Sequence, residues 1–174
     1  MKKIVTFSVI MIALFASCKK SNSSSSYQIS ASVDGTSKNF NIATIASRTN
    51  VNGVTMISIQ GIASTSTGEN FEIDVSNGPS SDSIVAGNYS DTSSNFNVSG
   101  VYMSNATTEY DAGTMLAYDA SNTGTTLTNH LKLTITSMDK TSIRGTFSGD
   151  FYFNDDISAA KKTITSGNFY AKFQ

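Results

Sequence analysis

The chain holds one cysteine, Cys18, and one histidine, His130. These two single residues limit the chemistry open to it. A zinc site built on thiolate or imidazole needs several such ligands at close spacing, and neither type recurs. Without a second cysteine there is no disulfide framework. A Ser-His-Asp arrangement needs only one histidine and serines are abundant, but no Gly-x-Ser-x-Gly elbow occurs. His130 heads an alternating segment, residues 131–135, on the parity opposite Leu131 and shared with Lys132. It is therefore expected to face solvent, and no catalytic role is assigned to it.

Acids and tyrosines are the remaining candidates. Asn154-Asp155-Asp156 follows an apolar strand pattern, and Asp119 lies near Asn122 and Gly124. Oxygen ligands grouped in a loop suit calcium, but neither stretch has the spacing and closing Glu of an EF-hand loop. Asp and Asn also suit hairpin ends for backbone reasons alone, so both stretches are read as turns and no metal is assigned. Glycoside hydrolysis needs two carboxylates that can be distant in sequence, and only three glutamates, Glu69, Glu72 and Glu109, are available. Tyr102, Tyr110, Tyr118 and Tyr152 form a candidate ligand surface, with Tyr152 on the polar parity of its strand; Tyr170 is a fifth ring of the same kind. Exposed rings often mark contacts. The absence of tryptophan counts against a glycan ligand.

Cys18 carries a different chemistry. Lys2 and Lys3 precede an almost wholly apolar run, residues 4–16. That run is shorter than the roughly 20 residues a membrane-spanning helix needs, and it fits the core of a secretory signal. Leu14-Phe15-Ala16-Ser17-Cys18 resembles a lipobox. Small residues let a lipoprotein signal peptidase reach the bond before Cys18, and the thiol takes a diacylglyceryl group. Residues 1–17 are read as the signal, and residues 18–26 as a lipidated cysteine with a Ser-rich tether, KKSNSSSS. Such a polar run stays solvated. The membrane is then a partner through the covalent lipid on Cys18, and no other cofactor is expected. Two or three acyl chains hold a protein where one binds only reversibly.

Residues 27–174 are long enough for one domain with a core. Removing the signal leaves ten basic and thirteen acidic residues, which gives no basic field for nucleic acid. The dominant period is two. Tyr27, Ile29, Ala31 and Val33 alternate with polar residues, as do Phe71, Ile73 and Val75, and again Leu131, Leu133 and Ile135. Ile143, Gly145, Phe147, Gly149, Phe151 and Phe153 share one face. One buried and one wet face is the pattern of antiparallel sheets. Asp34-Gly35 and Asn52-Gly53 are hairpin signals. Residues 40–47 and 54–64 are apolar on both parities, as central strands would be. Residues 98–104 and 114–118 are further strand candidates. Ile164 and Phe169 fall on opposite parities, which a bulge near Gly167 would reconcile. The echo between Ser148-Gly149-Asp150-Phe151-Tyr152 and Ser166-Gly167-Asn168-Phe169-Tyr170 suggests two similar paired strands. No window carries a capped helical stripe. These features predict an all-β domain of about nine or ten strands, a single antiparallel β-sandwich, with a lipocalin-like barrel as the alternative.

The cysteine-terminated signal, the Ser-rich tether, Ile84-x-Ala86-Gly87-Asn88-Tyr89, Ile143-Arg144-Gly145-Thr146-Phe147 and the closing Ser166-Gly167-Asn168-Phe169-x-Ala171-x-Phe173 resemble a family of uncharacterised Bacteroidota lipoproteins. Asn88 stands where that family usually has Thr. The resemblance implies an all-β domain and carries no site residues. Surface lipoproteins of that phylum often bear an acidic export signal after the cysteine, and residues 19–26 have none. That implies an outer-membrane anchor facing the periplasm. Asp82-Ser83-Ile84 likewise resembles a periplasmic O-glycosylation motif, with Ser83 the acceptor. The leading functional expectation is a non-enzymatic module that binds a protein or small-molecule ligand. An envelope hydrolase with dispersed carboxylates and a purely structural surface lipoprotein are the alternatives.

Overall fold

The computed structural model describes residues 26–78 and 82–174. The signal, Cys18 and nearly all of the tether lie outside them. The two dipeptides with a left-handed preference make the turns expected of them. Asp34 (φ 48°) and Gly35 (φ 81°) join β1 (Gln28–Val33) to β2 (Thr36–Phe40). Asn52 (φ 52°) and Gly53 (φ 85°) join β3 (Ala43–Val51) to β4 (Val54–Ser64). Two central residues at positive φ match the twist of the flanking strands. The chain continues through β5 (Glu69–Asn77), β6 (Gly87–Ser90), β7 (Phe96–Asn105), β8 (Thr108–Gly113), α1 (Thr114–Thr123), β9 (Lys132–Met138), β10 (Ser142–Phe153) and β11 (Lys161–Phe173).

All eleven strands belong to one hydrogen-bonded network, ordered β2-β1-β11-β3-β4-β5-β7-β8-β10-β9-β6, with β10 also paired to β11. That extra pairing folds the network into two leaves. The long β10–β11 hairpin lies within the leaf β2-β1-β11-β10-β9-β6. The outer edge of β11 pairs first with β1 and then, at Lys172 and Phe173, in parallel with β3. The outer edge of β10 pairs first with β9 and then, at Tyr152 and Phe153, with β8. The second leaf, β3-β4-β5-β7-β8, thus meets the first at two opposite corners. Each corner holds only two residue pairs, so the sheet does not close as a regular barrel.

The apolar parity of every strand points between the leaves. Ile29, Phe40, Leu133, Ile143, Phe147, Phe151 and Phe169 come from one leaf, and Ile57, Ile59, Phe71, Ile73 and Val98 from the other; all are buried. Phe71 joins them, with ring centroids 4.8 Å from Phe147 and 5.4 Å from Phe151. Tilted aromatic contacts at this spacing add to area burial. Glycines make room for the rings. Phe151 lies over Gly100, where an added Cβ would meet its ring at 2.8 Å.

The expected bulge is present. Across the β1 and β10 pairings, β11 advances three residues where its partners advance two, between Thr165 and Asn168 and between Ile164 and Gly167. Ser166 takes the extra turn at φ 51°. Ile164 and Phe169 both therefore reach the core. The two echoed segments lie on the paired strands β10 and β11, as expected, but offset along them: Gly149 pairs with Ile164, and Gly167 with Phe147.

Three expectations are corrected. The described residues form eleven strands, because β2, β6 and β8 are short elements without a full apolar alternation. Residues 40–47 are not one strand, since β2 ends at Phe40 and β3 begins at Ala43. Residues 114–118, expected as a strand, open the only helix among the described residues. Its Met115 and Tyr118 are exposed while Leu116 and Ala120 are buried. That four-residue spacing is helical, and five residues of alternation were too few to exclude it.

Two glycine substitutions separate packing from backbone freedom. A Cβ at Gly145 would collide with the Thr134 carbonyl oxygen and the Phe169 ring, whereas one at Gly53 meets nothing within 4 Å and strains only its positive φ. Gly145→Ala should cost about 3 kcal/mol or more, and Gly53→Ala about 1 kcal/mol. Urea unfolding of the two variants checks this ranking, and equal losses would refute it.

Candidate functional site

A groove of about 490 Å³ lies between α1 and the end of β6. Its position follows from how α1 is held. No side chain caps the helix N-terminus. Instead Thr114 Oγ1 accepts the Val98 N–H at 3.0 Å and donates back to its carbonyl, fastening the first turn to β7. Gly124, at φ 73°, closes the C-terminus by donating to the carbonyls of Ala120 and Ser121. Ala120 and Leu127 then pack on Tyr152 of β10, with Ala117 and Ile157 beside them. Tyr152 occupies the polar parity of its strand and is nonetheless buried, because the α1–β9 connection covers it.

That connection carries His130. Asp150, 2% exposed, holds its base. The Asp150 carboxylate accepts from Asn129 Nδ2 at 3.2 Å, Thr128 Oγ1 at 3.4 Å, Thr163 Oγ1 at 2.8 Å and Lys161 Nζ at 2.5 Å. Burial alone would raise its pKa, but these donors outweigh it and hold the carboxyl below its ordinary value. Asp91, at the end of β6, holds the top of the connection. It exchanges two hydrogen bonds with Leu131: its N–H donates to the Leu131 carbonyl at 3.1 Å, and its Oδ2 accepts the Leu131 N–H at 2.9 Å. Its Oδ1 lies 2.9 Å from His130 Nδ1. The two atoms are buried and face each other without hydrogen-bond alignment. His130 is half-buried rather than facing solvent as expected, because Asp91 draws its ring inward.

The groove has an aliphatic floor from Ala117, Ala120 and Leu127, a rim of hydroxyls from Thr92, Ser93, Ser121 and Thr125, and the exposed ring of Tyr118 at its edge. A smaller groove of about 180 Å³ flanks the other side of His130, against Ser148 and Thr163. With Nδ1 turned to Asp91, Nε2 is the ring nitrogen left for a ligand. Among the described residues no serine or threonine hydroxyl hydrogen-bonds to His130, and Ser93 Oγ accepts the Ser90 N–H at 3.0 Å.

The four candidate tyrosines do not make one surface. Tyr102 is buried, stacked on the half-buried Tyr110 at 6.1 Å, and donates to Glu69 Oε1 at 2.8 Å. Tyr118 edges the groove and Tyr152 lies beneath it. Tyr170 contacts Tyr27 at 4.6 Å. Ser83 is exposed while Ile84 is buried. Asn154 and Asp155 form a turn at φ 50° and 57°, and the Asp156 carboxylate accepts the Ser158 N–H and hydroxyl.

Two acids that the sequence does not single out, Asp74 and Asp111, lie on the outer face of the second leaf. Burial, with the charge of Glu72 adding to it, pushes Asp74 up to about 6. Burial, then the charges of Asp155 and Glu109, pushes Asp111 up to about 7. Asp111 and Asp155 line a third groove of about 300 Å³. The sequence carries no signal for these shifts, which arise from cross-strand neighbours.

The raised values make stability pH-dependent. Between about pH 4 and pH 7 the folded chain keeps protons on Asp74 and Asp111 that the unfolded chain has released, so stability falls as pH rises. Asp34, Asp139, Asp150 and Asp156 are all lowered, and their contribution is lost as pH falls below about 4. Unfolding midpoints should peak at about pH 4, and Asp111→Asn should flatten the alkaline limb by about 1 kcal/mol. A wild-type profile flat from pH 5 to 8 would refute this.

No family model matches the chain, and neither a curated protein nor a solved structure matches it.

Proposed function

We propose that the chain is a lipid-anchored envelope protein whose β domain is a non-enzymatic binding module. The observation that carries the reading is the groove beside His130. An aliphatic floor, an exposed ring and converging polar groups are the usual makeup of a small-ligand site. The occupant that fits is a small neutral or weakly acidic molecule with one apolar face and several hydroxyl or carbonyl groups. Tyr118 takes the flat face, the threonine and serine rim takes the polar edge, and His130 Nε2 supplies one directed contact.

The anchor rests on Cys18 and the segments either side of it. The resemblance to Bacteroidota lipoproteins and the non-acidic tether favour the outer membrane, facing the periplasm. The exposure of Ser83 is compatible with its modification by a glycosyltransferase.

A hydrolase is the second reading, favoured by one observation. Asp111, pushed up to about 7 beside Asp155 in its own groove, has the elevated pKa of a general acid and a carboxylate neighbour.

Three measurements test these readings. Cys18→Ala should leave an unlipidated precursor and abolish detergent-phase partitioning; a processed variant that still partitions refutes the anchor. Neutral disaccharides and substituted benzoates, titrated against the lipidated protein in detergent, should shift amide resonances at Thr92, Tyr118, Thr126 and His130. Tyr118→Ala should weaken that binding about tenfold, equivalent to about 1.4 kcal/mol. Shifts confined to Asp111 and Asp155, with hydrolysis lost in Asp111→Asn, would replace the binding reading with the hydrolytic one.

A further inference from the structure

We infer that the end of the sandwich from which the tether emerges is a membrane-facing surface that docks on anionic phospholipid headgroups. The inference rests on the Cys18 anchor proposed above and adds an orientation to it.

Four basic side chains gather at this end. Arg144 pairs across the hairpin with Tyr170, and Lys172 with Ser142. Lys140 lies in the β9–β10 turn, one residue from Thr141, whose carbonyl accepts the Phe173 N–H at 2.9 Å. Arg48 lies 4.8 Å over the Phe173 ring and 2.9 Å from Met138 Sδ. Arg48, Lys140, Arg144 and Lys172 are all exposed, and none forms a salt bridge with a described residue. The three lysines with carboxylate partners, Lys38, Lys161 and Lys162, hold Glu69, Asp150 and Asp34 respectively. One acidic side chain, Asp139, lies among the four cations, and its carboxylate accepts from the Thr141 N–H and hydroxyl and from the Ser142 N–H.

Rings accompany the charges. Tyr27 contacts Tyr170 at 4.6 Å, and the Arg144 guanidinium stacks over Tyr170 at 3.8 Å. Tyrosine with neighbouring Arg and Lys is the composition that settles at a bilayer interface, ring toward the acyl boundary and cation toward phosphate. The β3–β4 hairpin adds an exposed valine. Beside Phe173, β3 runs parallel to β11. It continues past Ala46 to Val51, which is 60% exposed.

The chain enters the domain from the tether at this end. Residues 19–26 span at most about 28 Å fully extended, and the chain enters β1 beside Tyr27, within this cluster. Lys19 and Lys20 sit next to the lipid-bearing residue and add to the same field. Each basic residue near an anionic surface contributes about 1 kcal/mol, falling off within a Debye length.

The test uses lipidated protein in phosphatidylcholine vesicles, with and without about 30 % phosphatidylglycerol. Amine labelling read by mass spectrometry compares Lys140 and Lys172 with Lys132, which sits at the opposite end of β9. Lys140 and Lys172 should be labelled about threefold more slowly on the anionic vesicles, Lys132 equally on both, and about 0.5 M salt should remove the difference. The charge reversal R48E/R144E should still float with the vesicles but lose the protection. Equal labelling of Lys140 and Lys172 on both vesicles, or undiminished protection in R48E/R144E, overturns the orientation. Failure to float on either vesicle overturns the anchor itself. Flotation reports the anchor and lysine labelling reports the face, so the two failures are distinguishable.

Discussion

The structure depends on a reciprocal contact between two glycine–phenylalanine pairs. In the β10–β11 hairpin, Gly145 sits opposite Phe169 and Phe147 sits opposite Gly167. Each ring lies over the other strand's glycine. A Cβ at Gly145 would meet the Phe169 ring, and one at Gly167 would meet Phe147 at 2.6 Å. A glycine in a strand is ordinarily a loss of packing and of chain entropy. Here the cross-strand ring fills the missing volume, and the two rings reach the midplane between the leaves. Phe71 of the opposite leaf then docks on Phe147. The corner pairings with β3 and β8 require this hairpin to be long and straight enough to serve both leaves.

That same contact explains why the fold was largely legible in the sequence. Gly149-Asp150-Phe151 and Gly167-Asn168-Phe169 are visible as similar segments of the two strands, and the parity conflict between Ile164 and Phe169 demands one extra residue between them. The bulge at Ser166 supplies it. Dipeptide turns and alternation are local, so both hairpin turns, β1 and β4 were legible too, while β2 and the start of β3 were not. The helix was not. Residues 114–123 have neither a capping side chain nor an acidic first turn, and their helical conformation is imposed by docking on Tyr152 and by Thr114 bonding to Val98. Tertiary context overrides propensity in such a segment.

The groove was legible only in part. His130 was visible as the single imidazole, but its partner Asp91 lies thirty-nine residues earlier in a plain Ser-Asp-Thr turn. What joins them is the pairing of β6 with β9, a non-local register with no trace in either segment. Tyr102 and Tyr152 illustrate the opposite limit. Both were plausible surface rings by type. One is committed to a buried hydrogen bond with Glu69, itself held by Lys38 at 3.0 Å, and the other is roofed by a loop whose path no periodicity reports. An amphipathic ring suits either setting, so residue type alone cannot choose between them.

The two proposed surfaces lie at opposite ends of the same strand pair. His130 precedes β9, whose first residue, Lys132, pairs with Ser148, while its last, Met138, pairs with Ile143 beside Arg144. Six strand steps separate these ends, about 20 Å. Near the His130 end Lys161 is bound to Asp150 and Lys162 to Asp34, which leaves Lys132 as the cation there without a salt bridge among the described residues. At the tether end four cations stand without one, against the single carboxylate of Asp139, so positive charge is concentrated where the chain would meet phosphate. A domain held by its tether end would present the groove away from the bilayer. The shared hairpin keeps that separation fixed, because β10 forms part of both ends and its close-packed glycines leave it no room to slide.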